Sequence, residues 1–413
     1  MNFSGSDPTN GGLNWDPAVT GIPGTVFPTS PLNCFANPCS IMAVDPKLKT
    51  PYVLNWTVDV QHAITPNLSL EVAYVGDRGS RLTGIRDINQ VDPNSPAELA
   101  CGHCEQAGRP YFTQFPYLSQ IYQMQNIYRS SYNGLQTTLT ARDYHGLSMV
   151  LGYTYSHSLD DVGANWDFGA GLGLPSDSTH PQREYASSDY DMRHRLTVSL
   201  TYLFPEKKSF GQMLQGWQIN SIVSVFGAQP FGVMDAGTDV SQTGEGNDRW
   251  NFYGKPADFR STPTGIPYFA PGDPAMPAAC QTRAAAIGAT DSLNAFGCYA
   301  NGSSVMIPPA FGTFGTMGRN IFRDTGLQNV DLSVVKNWKF RERLGVQFRA
   351  EFFNLFNHPN FANPFGGQNG WAHNDPSTGS FGCSCGTPDV AASNPVIGSG
   401  GNRAVQFGLK MRF

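Results

Sequence analysis

Residues 402–413 read NRAVQFGLKMRF. Val405, Phe407, Leu409, Met411 and Phe413 are apolar at every second position, and Ala404, Gln406, Gly408, Lys410 and Arg412 between them are mostly small or polar. A strand repeats every two residues, so the first set lines one face and the second set the other. A half-buried strand of a soluble protein shows the same alternation. The pattern runs to Phe413 with no polar tail, and this predicts a membrane strand. Strands of outer-membrane β-barrels turn an apolar face to lipid and a polar face to the lumen, with aromatics at the interfaces.

Composition points the same way. Charged residues make up 14% of the 413, aromatics 12%, with 45 Gly and 30 Pro; soluble domains carry roughly 25% charged residues. Mean hydropathy is only -0.29, and no apolar run reaches the ~18 residues of a transmembrane helix. Barrel strands hide their hydrophobicity in alternation, so the combination fits a barrel. A net charge of -5 argues against nucleic acid as a partner. Met1, Asn2 and Phe3 lead into a polar segment with no basic start and no apolar stretch, so no signal peptide is legible. Export requires one, and the expectation is a C-terminal piece of a longer chain or a misplaced start codon.

Alternating runs recur along the chain. Residues 52–63 (YVLNWTVDVQHA) put Leu54, Trp56, Val58 and Val60 on one face, and 68–76 do the same with Leu68, Leu70, Val72 and Tyr74. Residues 131–142 and 147–157 form the next pair. Residues 193–204, 216–226, 327–340 and 344–354 follow, then the terminal run. That predicts nine strands, with a tenth near the start or in a long loop. The lumen face is assigned to Gln347, Arg349, Glu351 and Lys410 among others. Connections at 65–67, 143–146, 205–214 and 341–343 are short, and those at 77–130, 158–192, 227–326 and 355–401 are long. Strict alternation of short and long predicts periplasmic turns at one end and extracellular loops at the other. The loops at 158–189 and 231–323 are rich in Gly, Pro, Asn, Asp and Ser, and are expected to be surface loops with at most short strands.

Eight cysteines fall into local pairs: Cys34 with Cys39, Cys101 with Cys104, Cys280 with Cys298, and Cys383 with Cys385. Local pairs in Gly/Pro-rich loops predict disulfides made in an oxidising space. The last pair is tight enough to be strained.

Six segments resemble one family: residues 51–82, 130–161, 189–205, 216–231, 318–340 and 349–364, the last containing FFNLFNHPNF. Together they resemble the C-terminal half of the barrel of Oar-like TonB-dependent receptors, outer-membrane transporters. The resemblance implies a partial barrel, about ten strands of a larger one of about 22. It divides the chain into an irregular start, residues 1–50, and a barrel portion, residues 51–413. It implies location in the outer membrane of a Gram-negative cell and uptake of a small molecule, saccharide or peptide by the full-length protein. The TonB complex would be met only through a plug region that this sequence does not carry. The expected reading is an antiparallel transmembrane β-barrel, all β, with lipid as its partner, no cofactor, no metal and no enzymatic role. The alternative is a secreted or surface-exposed β-rich binding protein without a membrane span.

Two constellations invite a chemical reading. Cys101-Gly102-His103-Cys104 matches a redox CxxC motif, which wants its first Cys at a helix N-terminus in a βαβ unit. Its loop setting favours a plain disulfide, and zinc, with Cys383, Cys385 and His373, is a weaker option because no second CxxC exists. Asp189, Asp191, Arg193, His194 and Arg195 could be read as an Asp/His pair. A polar loop pairing charges at the top of a strand explains them better. Asn354, Asn357, His358 and Asn360 read as loop-closing residues. The acidic stretch 235–248 lacks calcium-loop spacing.

Overall fold

The computed structural model describes residues 38–161, 174–233, 235, 238–246, 248–340, 344–364, 375–387 and 400–412. Cys34, His373, the turn 341–343 and Phe413 lie outside them, so the Cys34–Cys39 pair and the zinc option with His373 go undescribed. No described helix is long and apolar enough to cross a membrane.

Nine strands pair in chain order to form one antiparallel meander. After a short strand β1 (Cys39–Val44) come β2 (Tyr52–Thr65), β3 (Leu68–Asp87), β4 (Leu118–Tyr144) and β5 (Leu147–Asp160). A two-residue β6 (Ala186–Ser187) precedes β7 (His194–Leu203) and β8 (Trp217–Phe226). The long loop that follows holds β9 (Pro230–Phe231), β10 (Asn251–Tyr253), β11 (Tyr268–Phe269), β12 (Cys298–Asn301), β13 (Ser304–Ile307) and β14 (Phe322–Arg323). The meander resumes with β15 (Leu327–Lys339), β16 (Gly345–Phe353) and β17 (Ala404–Arg412). All nine runs of alternating hydrophobicity are strands of this sheet. The extra strand near the start is β1, which pairs in parallel with β4, so the expected irregular start contains ordered backbone. The path is open: among the described residues β2 pairs only with β3, and β17 only with β16.

The long expected connector at 77–130 needs correction. Its two ends, 77–87 and 118–130, extend β3 and β4 to 20 and 27 residues. They pair there through bulges near Leu82. Only 88–117 is left to connect them. The alternation fades in this stretch because strands that rise past the apolar layer no longer face lipid on one side.

Local chemistry fixes the turns. Tyr144 pairs with Leu147, and His145 and Gly146 between them have φ of 52° and 84°. Two positive φ values in a two-residue loop make a type I′ turn, which matches strand twist. A Cβ on Gly146 would meet the carbonyl of Leu203 at 2.6 Å. On the apolar face the Trp56 indole covers Gly76, its register partner, where a Cβ would fall 2.4 Å from the ring. Among the described residues, no second layer covers the apolar face of the sheet. A hydrophobic core lies elsewhere, where Phe231, Trp250, Phe259, Tyr299, Met306 and Phe322 of the loop after β8 are buried together with Phe381 of the loop after β16.

That buried cluster corrects the reading of 231–323 as surface loops. Strands β10, β13, β12 and β11 form a small sheet, flanked by helices α2 (Ala278–Ala286) and α3 (Thr290–Phe296). Elements of two to nine residues leave no readable period, and the core is built instead from scattered aromatics. Their rings meet at 5.0–5.8 Å in tilted and edge-on pairs, such as Phe252–Phe259, Phe252–Phe322 and Phe231–Phe381.

Candidate functional site: a two-faced sheet and its loop cap

Register places every side chain of the meander on one of two faces. Leu54, Val58, Tyr74, Leu139, Leu151, Val198, Val223, Val334, Phe348 and Leu409 fall on one face. Asn55, Gln61, Glu71, Thr138, Thr154, Thr197, Asn220, Ser333, Arg349 and Gln406 fall on the other. Apart from bulges at the ends of β2, β3 and β4, the phase holds across nine strands, so the faces belong to the sheet as a whole. The apolar face is open: Val58 is 65% exposed, Leu409 64% and Phe407 67%. That is a large apolar surface over which none of the described residues forms a layer.

The polar face is cross-linked by its own side chains. Gln61 donates to Glu71 at 3.2 Å, Thr201 to Asn220 at 3.0 Å and Gln347 to Asn337 at 2.9 Å. Arg349 and Glu351 form an ion pair at 3.4 Å. Gln347 sits opposite Lys410 in register, and Arg349 opposite Gly408. The four residues assigned to a lumen face thus share the polar side, within one patch of β16 and β17.

Two cations break the rule, Arg78 opposite Leu54 and Lys336. Lys336 lies on the apolar face, in register with Trp217 and Phe348. Its ammonium bonds the carbonyls of Gln212 and Gln215 in the turn before β8. It sits 5.3 Å from the Trp217 ring and 5.2 Å from Trp338. Sequence reading passed over it, because a lone Lys in an apolar phase is no signal until the turn that receives it is known.

At the long-loop end, buried arginines join the cap to the strands. Arg319 donates to Asp160 and, at 3.3 Å, to Asp189. Arg249 pairs with Glu184, and Arg109 with Asp87 at 3.4 Å. Asp191 is the hub. It accepts from the Ser158 N–H at 2.9 Å, Arg193 Nε at 3.0 Å and Arg323 Nη2 at 2.8 Å, and lies 3.1 Å from His157 Nδ1. Burial pushes its carboxyl up, but the Ser158 N–H, Arg323 and His157 outweigh that and hold it below the ordinary carboxylate value. The imidazole at Asp191 is therefore His157, not the sequence neighbour His194, which meets the Tyr153 hydroxyl at 2.9 Å. Asp191 works as a clamp between loop and strand.

Two loop carboxyls are pushed the other way. Burial, with Asp239 and Asp235 nearby, raises Asp248 to about 7. Burial, then the neighbouring Asp87, holds Glu245 well above its usual range. Glu245 also takes the Ser178 hydroxyl at 3.2 Å.

The CGHC segment has no redox geometry. Cys101 is the last residue of helix α1 (Pro96–Cys101), not its N-cap. Thiolate stabilisation belongs at a helix N-terminus, so the dipole here opposes it. Cys101 and Cys104 lie with Cα atoms 5.8 Å apart, Cys280 and Cys298 6.5 Å, and Cys383 and Cys385 5.2 Å. Among the described residues one cluster of three candidate metal ligands occurs, Glu98, Cys101 and Cys104. Its carboxylate is already taken by the N–H groups of Glu105 at 2.8 Å and Gly108 at 2.6 Å. The loop-closing asparagines do close a loop. Asn354 donates to the carbonyls of His358 and Gly401 at 2.9 and 2.8 Å. Asn360 brackets the backbone of Gln328 from both sides at 2.7 and 3.0 Å.

A family model described as "Outer membrane beta barrel domain" matches residues 2–398. No curated protein sequence matches the chain. Among solved structures it is similar to the outer membrane transporter YddB from Escherichia coli, with 8% identity over 78% of this chain and 31% of that one, at a TM-score of 0.35. It is also similar to the pyoverdine outer membrane receptor FpvA from Pseudomonas aeruginosa PAO1 bound to pyoverdine, with 8% identity, 89% and 30% coverage and a TM-score of 0.38. The FpvAI–pyocin S2 complex gives 8% identity, 88% and 26% coverage and a TM-score of 0.34. The chain spans under a third of the length of these structures.

Proposed function

We propose that this chain, which belongs to the outer membrane beta barrel domain family, supplies the C-terminal part of a receptor barrel that imports a substrate across the outer membrane in a TonB-dependent way. The observation that carries the proposal is the single phase of polar and apolar faces across nine paired strands, with long loops at one end only. In a bilayer the apolar face meets acyl chains, and the polar face with Gln347, Arg349, Glu351 and Lys410 lines the lumen. A secreted binding protein without a membrane span would leave Val58, Phe407 and Leu409 in water, an aggregation liability.

The resemblance of FFNLFNHPNF and its companion segments to Oar-like TonB-dependent receptors supports the finer assignment. The folded cap supports a receptor role, since it gives the extracellular end a rigid surface on which a small molecule, saccharide or peptide is recognised. Energy from the TonB complex would arrive through a plug.

Spin labels test the faces. Labels at Val58 and Phe407 should respond to lipid-soluble relaxants, and labels at Gln347 and Lys410 to aqueous ones. Reversed accessibility would overturn the assignment. Uptake is tested in cells carrying the full-length protein: substrate-dependent growth should vanish when TonB is removed. Growth that persists without TonB would leave a passive channel instead.

A further inference from the structure

The connection between β7 and β8 carries an unusual surface. It reads FPEKKSFGQMLQG, residues 204–216. Phe210 is 99% exposed, Met213 61% and Leu214 58%. Lys207 and Lys208 beside them are exposed as well. Loose turns can show apolar side chains by chance, but this one is fixed at several points. The Gln212 side chain pairs with the backbone of Lys339, donating to its carbonyl at 2.6 Å and accepting its N–H at 3.0 Å. The Trp217 indole donates to the Met213 carbonyl at 2.7 Å. The Ser209 hydroxyl accepts the Leu214 N–H at 2.8 Å. Lys336 reaches from the apolar face into the carbonyls of Gln212 and Gln215, its own charge hidden at 1% exposure.

Both Trp217 and Lys336 belong to the apolar face, so their bonds fold the turn over the rim of that face. The turn is at the short-connection end, where the sheet leaves the acyl layer. Its exposed apolar side chains are therefore placed at the level of the boundary between headgroups and acyl chains, and its two exposed lysines, next to the exposed Glu206, at the level of the phosphates.

We propose that residues 204–216 form an interfacial anchor that binds an anionic phospholipid headgroup. Lys207 and Lys208 contact the phosphodiester, and Phe210, Met213 and Leu214 enter the acyl boundary. Lys336 and Trp217 are positioning residues that hold the turn against the membrane. This inference rests on the membrane reading of the sheet, so its test must separate the two.

The full chain is reconstituted into phosphatidylcholine vesicles with or without phosphatidylglycerol. An environment-sensitive fluorophore is placed by F210C, by L214C as a second site, and by F407C on the apolar face as a control. Brominated phosphatidylcholine or brominated phosphatidylglycerol is the quencher, at equal mole fraction. The expected result is quenching at all three positions. At 210 and 214 brominated phosphatidylglycerol should be preferred, by about fivefold for each lysine engaged. The K207Q/K208Q double variant should bring that ratio close to one and leave quenching at 407 unchanged. Quenching at 407 with none at 210 and 214 overturns the anchor and leaves the barrel intact. Quenching at 210 and 214 without a lysine-dependent preference overturns the headgroup site. A control label at 407 that stays in water removes the membrane reading and the anchor with it.

Discussion

Two buried loop carboxylates, Asp191 and Asp248, are shifted in opposite directions by what surrounds them. Asp191 gains cationic and N–H partners, so its carboxyl sits below the ordinary range. Its contribution is present above that range and lost as pH falls through it. Replacing it with Ala leaves Arg323 and Arg193 without their carboxylate. Because those arginines are about a third exposed, this should loosen the cap from the strands by about 1–3 kcal/mol, read as faster proteolysis within 227–326. Unchanged proteolysis would mean that the ion pairs are dispensable. Asp248 has too few donors for its burial and titrates near about 7. An unfolded Asp ionises near pH ~4, so between there and pH ~7 the unfolded state sheds a proton that the folded state keeps. Stability of the cap therefore falls as pH rises across that window and is flat above it, by at most about 4 kcal/mol. Exchange of the Ser241 and Gly244 amides, corrected for intrinsic chemistry, should accelerate from pH ~5 to ~8, and Asp248→Asn should reduce the trend, leaving the part that the raised Glu245 supplies. A flat wild-type profile would refute this. Neither role was legible beforehand. Arg323 lies 132 residues from Asp191, and sequence proximity pointed to His194 instead.

The strands were legible because a bilayer imposes one rule on all of them. Leu196, Val198, Leu200 and Tyr202 announce β7 as plainly as residues 402–413 announce β17. Where lipid no longer dictates a face, as in 77–87 and 118–130, the rule stops and the ends of β3 and β4 were missed. The cap was missed for a related reason: its strands are two to four residues long, and its core forms between segments far apart in sequence, such as Phe231 and Phe381. Substitutions should follow the same division. Val58→Arg or Phe407→Arg on the apolar face should cost about 2–4 kcal/mol near the bilayer centre, whereas Thr57→Arg or Gly408→Arg on the polar face should cost far less. Unfolding by denaturant from phospholipid vesicles measures both, and equal costs on the two faces would refute the division. In the cap, Cys280 and Cys298 span 18 residues between α2 and β12. We predict a disulfide there whose loss by Cys280→Ser/Cys298→Ser costs about 3 kcal/mol of cap stability. The exchange rates of cap amides under reducing and non-reducing conditions report it.

For the molecule as a whole, the open path of the sheet sets the sharpest constraint. Each interior strand has its backbone N–H and C=O groups paired on both sides. Among the described residues, the 14 residues of β2 and the nine of β17 pair on one side only. Along an edge strand, alternate residues aim their backbone groups at the neighbour and away from it. In water those outward groups are hydrated at little cost. In the acyl layer no water is available, and each unsatisfied group costs several kcal/mol. Half of a 14-residue strand left unpaired would exceed the whole stability of a typical domain, about 5–15 kcal/mol. The two edges must therefore be paired in the assembled membrane protein, with each other or with further strands. The prediction is that, in native outer membranes, the outward amides of residues 52–65 and 404–412 exchange as slowly as the amides of β5 and β7. Cysteine cross-linking from Asn55 and Gly408 then identifies the neighbour: a 55–408 cross-link means that the nine strands close on themselves, and cross-links to other positions mean a wider barrel. Fast exchange confined to the outward edge amides, with the interior still protected, would show that the edges stay open in lipid and would defeat the argument.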